Sequence, residues 1–243
     1  MSHFRVLDDA AGICRVAEDK KRITLFRVRL ELDHLFVCTS AGAPQAERLV
    51  ELGLNEGPPN EHPGQGTASR RFAFRNAMIE LLWVREPREA RSQSTARTML
   101  WERWFGRAEG VCPFGICVRP VDSHEATQPF AAWEYRPAYL PAPLSMHIGE
   151  AGLEEPMWVY LSFLTRVQRE QWFCEHPVGI REITGLTLHS PVPLRSNVSE
   201  KLVESAIVQI TIGPSYLLEI EFDQNRHKQQ IDLRPNLPLL FHL

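Results

Sequence analysis

One order of elements recurs along this 243-residue chain and constrains its fold more than any other feature. Residues 32–38 form a short apolar run with the polar break Asp33-His34, which reads as a strand. A helix follows from Ala43-Pro44, with Pro44 in its first turn and a stripe of Ala46, Leu49, Val50 and Leu52. Gly53 stands where a C-terminal cap belongs. Residues 55–67 contain three glycines and three prolines and read as a shaped loop rather than an element. Residues 70–75 then alternate at period two, Asn76-Ala77 can turn, and residues 78–84 form another strand.

The same strand, helix, strands order returns twice. Residues 113–119 read as a strand, 122–131 as a degraded helix, and 133–136, 144–148 and 157–163 as strands. Farther on, 183–189 is a strand and 196–206 a helix capped by Ser196 or Asn197. Residues 208–212 and 216–222 read as a hairpin through Gly213-Pro214-Ser215, closed by 230–233. So long a period points to duplication of one supersecondary unit. A single unit cannot cover its own curved sheet, so two must share a core. The expected division is an extension over 1–29, paired modules over 30–85 and 111–165, a linker helix over 86–110, and a third module over 166–243. Ala96, Met99, Leu100, Trp104 and Phe105 recur at helical spacing in that linker.

The formal net charge of −3, with no basic stripe interleaved with aromatics, argues against a nucleic-acid partner. No apolar run is long enough for a membrane-spanning helix, and the N-terminus has no secretory h-region. Five cysteines without a CxxC pair fit core thiols in a reducing, cytoplasmic setting.

Three residues stand out chemically. Glu80 lies among Met78, Ile79, Leu81 and Leu82, where a carboxylate is costly to desolvate. It must pair with a cation such as Arg71 or Arg75, bind a metal, or hold its proton. His34 shares a strand face with Phe36, and serves either as a ligand or base or as a hydrogen-bonded core histidine. His62 lies on the glycine-rich loop, where Gly64 and Gly66 permit close approach of backbone to a ligand. Two histidines and a carboxylate would suit Zn²⁺, Fe²⁺ or Mn²⁺. In the second set, either the aromatics Trp133 and Tyr135 or Glu134 face inward, and His147 reads as an exposed strand residue. Glu219, Glu221 and Asp232 read as a solvated outer face.

Leu32-Asp33-His34, Met78-Ile79-Glu80-Leu81-Leu82, the loop His62-Pro63-Gly64-Gln65-Gly66-Thr67, and residues 113–120 together resemble the glyoxalase-like proteins of the vicinal oxygen chelate superfamily. The resemblance spans residues 31–164. It implies an α+β fold of repeated βαβββ modules forming a cupped, barrel-like mixed sheet, here with an extra C-terminal module. It implies His34 and Glu80 as catalytic residues and His34, His62 and Glu80 as ligands of a divalent metal. The residues themselves add a substrate-binding group of His62, Gly64, Gly66, Thr67, Arg119, Trp133 and Glu134. In the second module, Gly115 and Val159 fall where the corresponding ligands would stand. The activity implied is lyase, isomerase or dioxygenase chemistry on a small oxygenated metabolite. The alternative is a non-catalytic protein that binds or sequesters a small molecule in the same pocket. The C-terminal module offers a surface for a homodimer.

Overall fold

The structure, a computed structural model, describes residues 29–121, 128–164 and 171–243. The expected N-terminal extension, apart from Arg29, and most of the degraded helix lie outside the described residues.

The first half supplies β1 (Leu30–Cys38), α1 (Ala46–Glu51), β2 (Asn60–His62), β3 (Thr67–Ala73) and β4 (Met78–Val84). The second supplies β5 (Phe114–Pro120), β6 (Ala132–Tyr135), β7 (Met146–Gly149) and β8 (Met157–Tyr160). They form one curled mixed sheet in the order β2-β3-β4-β1-β5-β8-β7-β6. Each half pairs its first and last strands in parallel, and β1 meets β5 antiparallel at the centre. The register makes the halves equivalent: Phe36 lies beside Glu80 as Cys117 lies beside Val159. The duplicated modules and the cupped sheet are therefore present.

In residues 30–110 two details differ from the sequence expectation. Residues 60–62 within the supposed loop pair with β3, because the turn at Gly64 and Gly66, both at positive φ, folds them back onto its free edge. The linker helix is broken into α2 (Pro87–Ala90), a 3₁₀ turn (Ala96–Thr98) and α3 (Leu100–Gly106). Met99, in the left-handed region at φ 53°, separates the last two.

The C-terminal part contains β9 (Ile183–Ser190), α4 (Asn197–Glu204), β10 (Gln209–Ile212), β11 (Leu217–Phe222), β12 (Gln230–Asp232) and β13 (Leu239–His242). Ser196 caps α4 by accepting the Ser199 N–H at 3.1 Å. The strand order is β10-β9-β11-β13-β12, so this sheet is a further module of different topology. The expected hairpin of 208–212 with 216–222 does not form. β10 crosses over through α4 to lie parallel to β9, while β11 pairs with the other side of β9. Burial explains the choice: β10 is largely exposed and tolerates an edge, whereas four of the six β11 residues are buried and require a central place.

Alternation along the strands splits the first sheet into two apolar faces. Leu35, Val37, Ile79 and Leu81 face a large core shared with α1 and the C-terminal sheet, where Phe74 meets Phe222 at 5.0 Å. Phe36, Cys38, Leu82, Tyr135, Ile148 and Val159 gather on the other face, which Leu100 of the linker partly covers. The uncovered part of that face is the pocket.

Candidate functional site

The pocket has a volume of about 260 Å³. Its floor is polar, with Asp33, His34, Asn60, His62, Arg71 and Glu80. Its rim is apolar, with Leu140, Met146, Leu161, Phe163, Leu164 and Trp172. Thus His34, His62 and Glu80, far apart in sequence, line one cavity. They meet there because parallel β1 and β4 put His34, Phe36, Met78 and Glu80 on one face, while the β2–β3 turn brings His62 to it.

His34 is held through its neighbours. Its Nδ1 lies 3.3 Å from Asp33 Oδ1, and Asp33 Oδ2 accepts from Arg119 Nη1 at 3.4 Å. Asp33 and Arg119 are both wholly buried, and Arg119 also donates to Glu31 at 3.1 Å and to the Asn76 carbonyl at 2.9 Å. Burial opposes a charged imidazole, but the Cys117 sulfur opposite, the Asp33 carboxylate and Glu80 outweigh it and raise the His34 pKa well above its usual value. Burial also pushes the Cys117 thiol up.

Glu80 is 5% exposed, and no hydrogen bond or ion pair engages its carboxylate among the described residues. Arg71 stands directly across from it on β3, yet forms no ion pair with it. Arg71 Nε donates to the Pro58 carbonyl at 3.1 Å, and its guanidinium lies 5.0 Å from the Trp172 ring centroid. Neither Arg71 nor Arg75 forms the ion pair that a purely structural Glu80 requires.

His62 has both ring nitrogens occupied. Asn60 Nδ2 donates to Nε2 at 2.8 Å, and Nδ1 and Thr67 Oγ1 are 2.9 Å apart. Burial lowers the His62 pKa, with His34 and Arg71 acting in the same direction and Glu80 against them. The Tyr139 ring lies 4.8 Å from the His62 ring and joins the pocket wall. Burial also raises the Tyr139 phenol pKa.

Among the described residues, no group of three or more His, Cys, Asp or Glu side chains is placed to hold an ion. To ligate through Nε2, His62 would give up the bond from Asn60, while Nδ1 kept Thr67. In the second module, a Cβ on Gly115 would fall 2.0 Å from Phe36 Cε1, so the phenyl ring fills the place of a side chain there. Val159 offers no donor at the other equivalent position.

The remaining sequence candidates lie elsewhere. Gly64 and Gly66 lie close against neighbouring protein. Cβ atoms there would fall 2.8 Å from Ala138 and 2.4 Å from the Glu86 carbonyl, respectively. Thr67 fixes His62 and accepts from Gln65 Nε2 at 2.8 Å. Arg119 acts behind His34, with no place in the lining. Trp133 packs under Arg97, and Glu134 bonds to Arg136 and Ser145 on the surface. Sequence reasoning passed over Asp33, Arg71, Tyr139 and Trp172 as site residues. The polar break in β1 signalled Asp33, whereas Tyr139 and Trp172 lie in stretches with no period to reveal their direction.

The sequence matches the Glyoxalase-like domain over residues 32–197. No curated protein matches it. Among solved structures, a hypothetical protein from Staphylococcus aureus is similar at 13% identity and a TM-score of 0.48, covering 87% of this chain and 98% of that one. A xylose isomerase-like TIM barrel/4-hydroxyphenylpyruvate dioxygenase fusion protein is similar at 13% identity and a TM-score of 0.43, covering 79% of this chain and 37% of that one.

Proposed function

The chain belongs to the glyoxalase-like domain family, and on that footing we propose that its pocket binds a small amphiphilic molecule without a resident metal. The ligand presents a hydrogen-bond donor to Glu80 and an oxygen to His34, and rests its apolar body on Leu161, Phe163 and Trp172. One observation carries this: Glu80 is a nearly buried carboxylate with no protein partner among the described residues, aimed into a cavity with an apolar rim. A buried ion without a partner costs stability unless something else supplies the partner. A small oxygenated metabolite with a hydroxyl or amine fits that description.

A second reading adds chemistry to the same pose and is favoured by the environment of His34. A carboxylate able to accept a proton stands in one cavity with an imidazole biased toward its protonated form. Glu80 removes a proton from the bound molecule, and His34 stabilises the resulting oxyanion. Lyase or isomerase activity would follow from that pair.

The test uses phenol, benzylamine and the non-donor anisole as probes, read by Trp172 fluorescence and imidazole NMR resonances. Phenol or benzylamine should bind equally well with and without a chelator, and Glu80→Gln should weaken binding at least tenfold. Binding that appears only after Zn²⁺, Fe²⁺ or Mn²⁺ is added contradicts the metal-free reading. Equal binding of anisole contradicts the role of Glu80.

A further inference from the structure

A second cavity, also of about 260 Å³, lies between the linker and the second module, apart from the pocket above. Ile148, Ala151 and Met157 contribute apolar wall, and Arg97 and Arg103 contribute the cations. Arg103 is the unusual group. It projects from α3 and is 2% exposed. Its Nη1 donates to the Cys112 carbonyl at 2.6 Å and the Glu155 carbonyl at 2.8 Å. Its Nε is buried and has no acceptor. No carboxylate lies within ion-pair distance of it among the described residues, since Glu155 directs its own oxygens to Ser196, Arg195 and Trp158. Two carbonyl dipoles orient a guanidinium but leave its charge uncompensated.

The mouth is arranged around a second cation. Arg97 lies 4.4 Å from the Trp133 ring centroid and is 3.2 Å from Glu150 Oε1. Glu150 is the carboxylate in the lining, and it is engaged at the exposed rim, with 59% of its side chain accessible. The inner end of the cavity thus holds a desolvated cation without a carboxylate partner among the described residues, and its walls hold apolar surface.

We propose that this cavity is a binding site for a small organic carboxylate, with the anion on Arg103 and a compact apolar body against Ile148 and Met157. A guanidinium matches a carboxylate in shape and charge, and desolvation strengthens the pairing. The site is independent of Glu80 and of the ligand bound there.

The experiment is a titration of the full chain with benzoate and with its neutral counterpart benzamide, followed by NMR of the indole N–H groups. Benzoate should shift the Trp133 resonance saturably, and benzamide should not. Arg103→Met should weaken benzoate at least tenfold, and Arg97→Gln, a change at the exposed mouth, severalfold. A benzoate shift confined to Trp172, or no shift at all, overturns the proposal, as does a folded Arg103→Met protein that binds like the wild type. Should Arg103→Met fail to fold, Arg97→Gln decides: unchanged benzoate affinity, or benzamide binding as well as benzoate, overturns it.

Discussion

Glu80 and Glu155 are both nearly buried carboxylates, and their surroundings distinguish a binding group from a structural one. Glu155 accepts from the Arg195 and Ser196 backbone N–H groups, both at 2.8 Å, from Ser196 Oγ at 2.5 Å and from Trp158 Nε1 at 3.1 Å. Burial alone would raise its pKa, but the bonds from Ser196, Trp158 and Arg195 overcome this and lower it. A carboxylate with a depressed folded pKa stabilises above its unfolded pKa and loses that contribution as pH falls through the folded value. Glu155→Gln should therefore cost roughly 1–3 kcal/mol at pH 7. The deficit against wild type should shrink below about pH 4 in urea melts, because the wild-type carboxylate is then protonated too. His62 carries a sign of its own. Its folded pKa is depressed, so its neutral form stabilises above the unfolded value of about 6.5. Wild-type stability should fall as pH drops from there through the folded His62 pKa, and His62→Gln should flatten that part of the profile in the same melts. Sequence alone identified Glu80 as anomalous, because four apolar neighbours admit few structural roles for a carboxylate. It did not identify Asp33 as the group holding His34, because a bulge in the β1–β5 register between Leu32 and His34 interrupts the alternation by which strand residues are assigned to faces.

At the scale of elements, strands with strong apolar patterns were legible and pairing partners less so. β1, β4, β5 and β8 announce themselves because both faces are buried, and their parallel pairing follows from the module order. β2 was hidden in a Gly- and Pro-rich stretch, since three residues are too few to show a period. The β9–β11 pairing was hidden because it depends on which strand the core accepts at its centre, a property of the whole sheet. The β1–β5 seam is the element on which the pocket depends, and across it the Phe36 ring occupies the space beside Gly115. Gly115→Ala should destabilise by roughly 1–3 kcal/mol through overpacking. Phe36→Ala should be markedly less harmful in the Gly115→Ala background than alone, a coupling that a double-mutant cycle in urea would measure. Additive losses would place the ring away from Gly115.

For the whole molecule, the C-terminal sheet closes the core on the face opposite the pocket. Phe74 meets Phe222 across that junction in a tilted pair with centroids 5.0 Å apart, and Phe241 packs edge-on against Phe222 at 5.1 Å within the C-terminal sheet. Arg119 and Asn76 tie the same region to the pocket floor: Arg119 donates to the Asn76 carbonyl at 2.9 Å, and Asn76 Oδ1 accepts the Ile183 N–H at 3.0 Å. Phe222→Ala should thus cost about 3–5 kcal/mol and lower the stability of both sheets together, with circular dichroism and tryptophan fluorescence reporting one transition. Two separate transitions would show that the sheets fold apart. A fold with this much shared apolar core can tolerate a buried carboxylate without a hydrogen-bond partner at its ligand site, and such sites characteristically trade stability for binding. The most direct measurement is therefore the unfolding free energy of the ligand-free full chain, wild type against Glu80→Gln. The account predicts a variant at least as stable as wild type that no longer binds phenol or benzylamine. A variant less stable than wild type would contradict it, because Glu80 would then be a partnered structural group and the pocket would have lost its reason to hold a carboxylate.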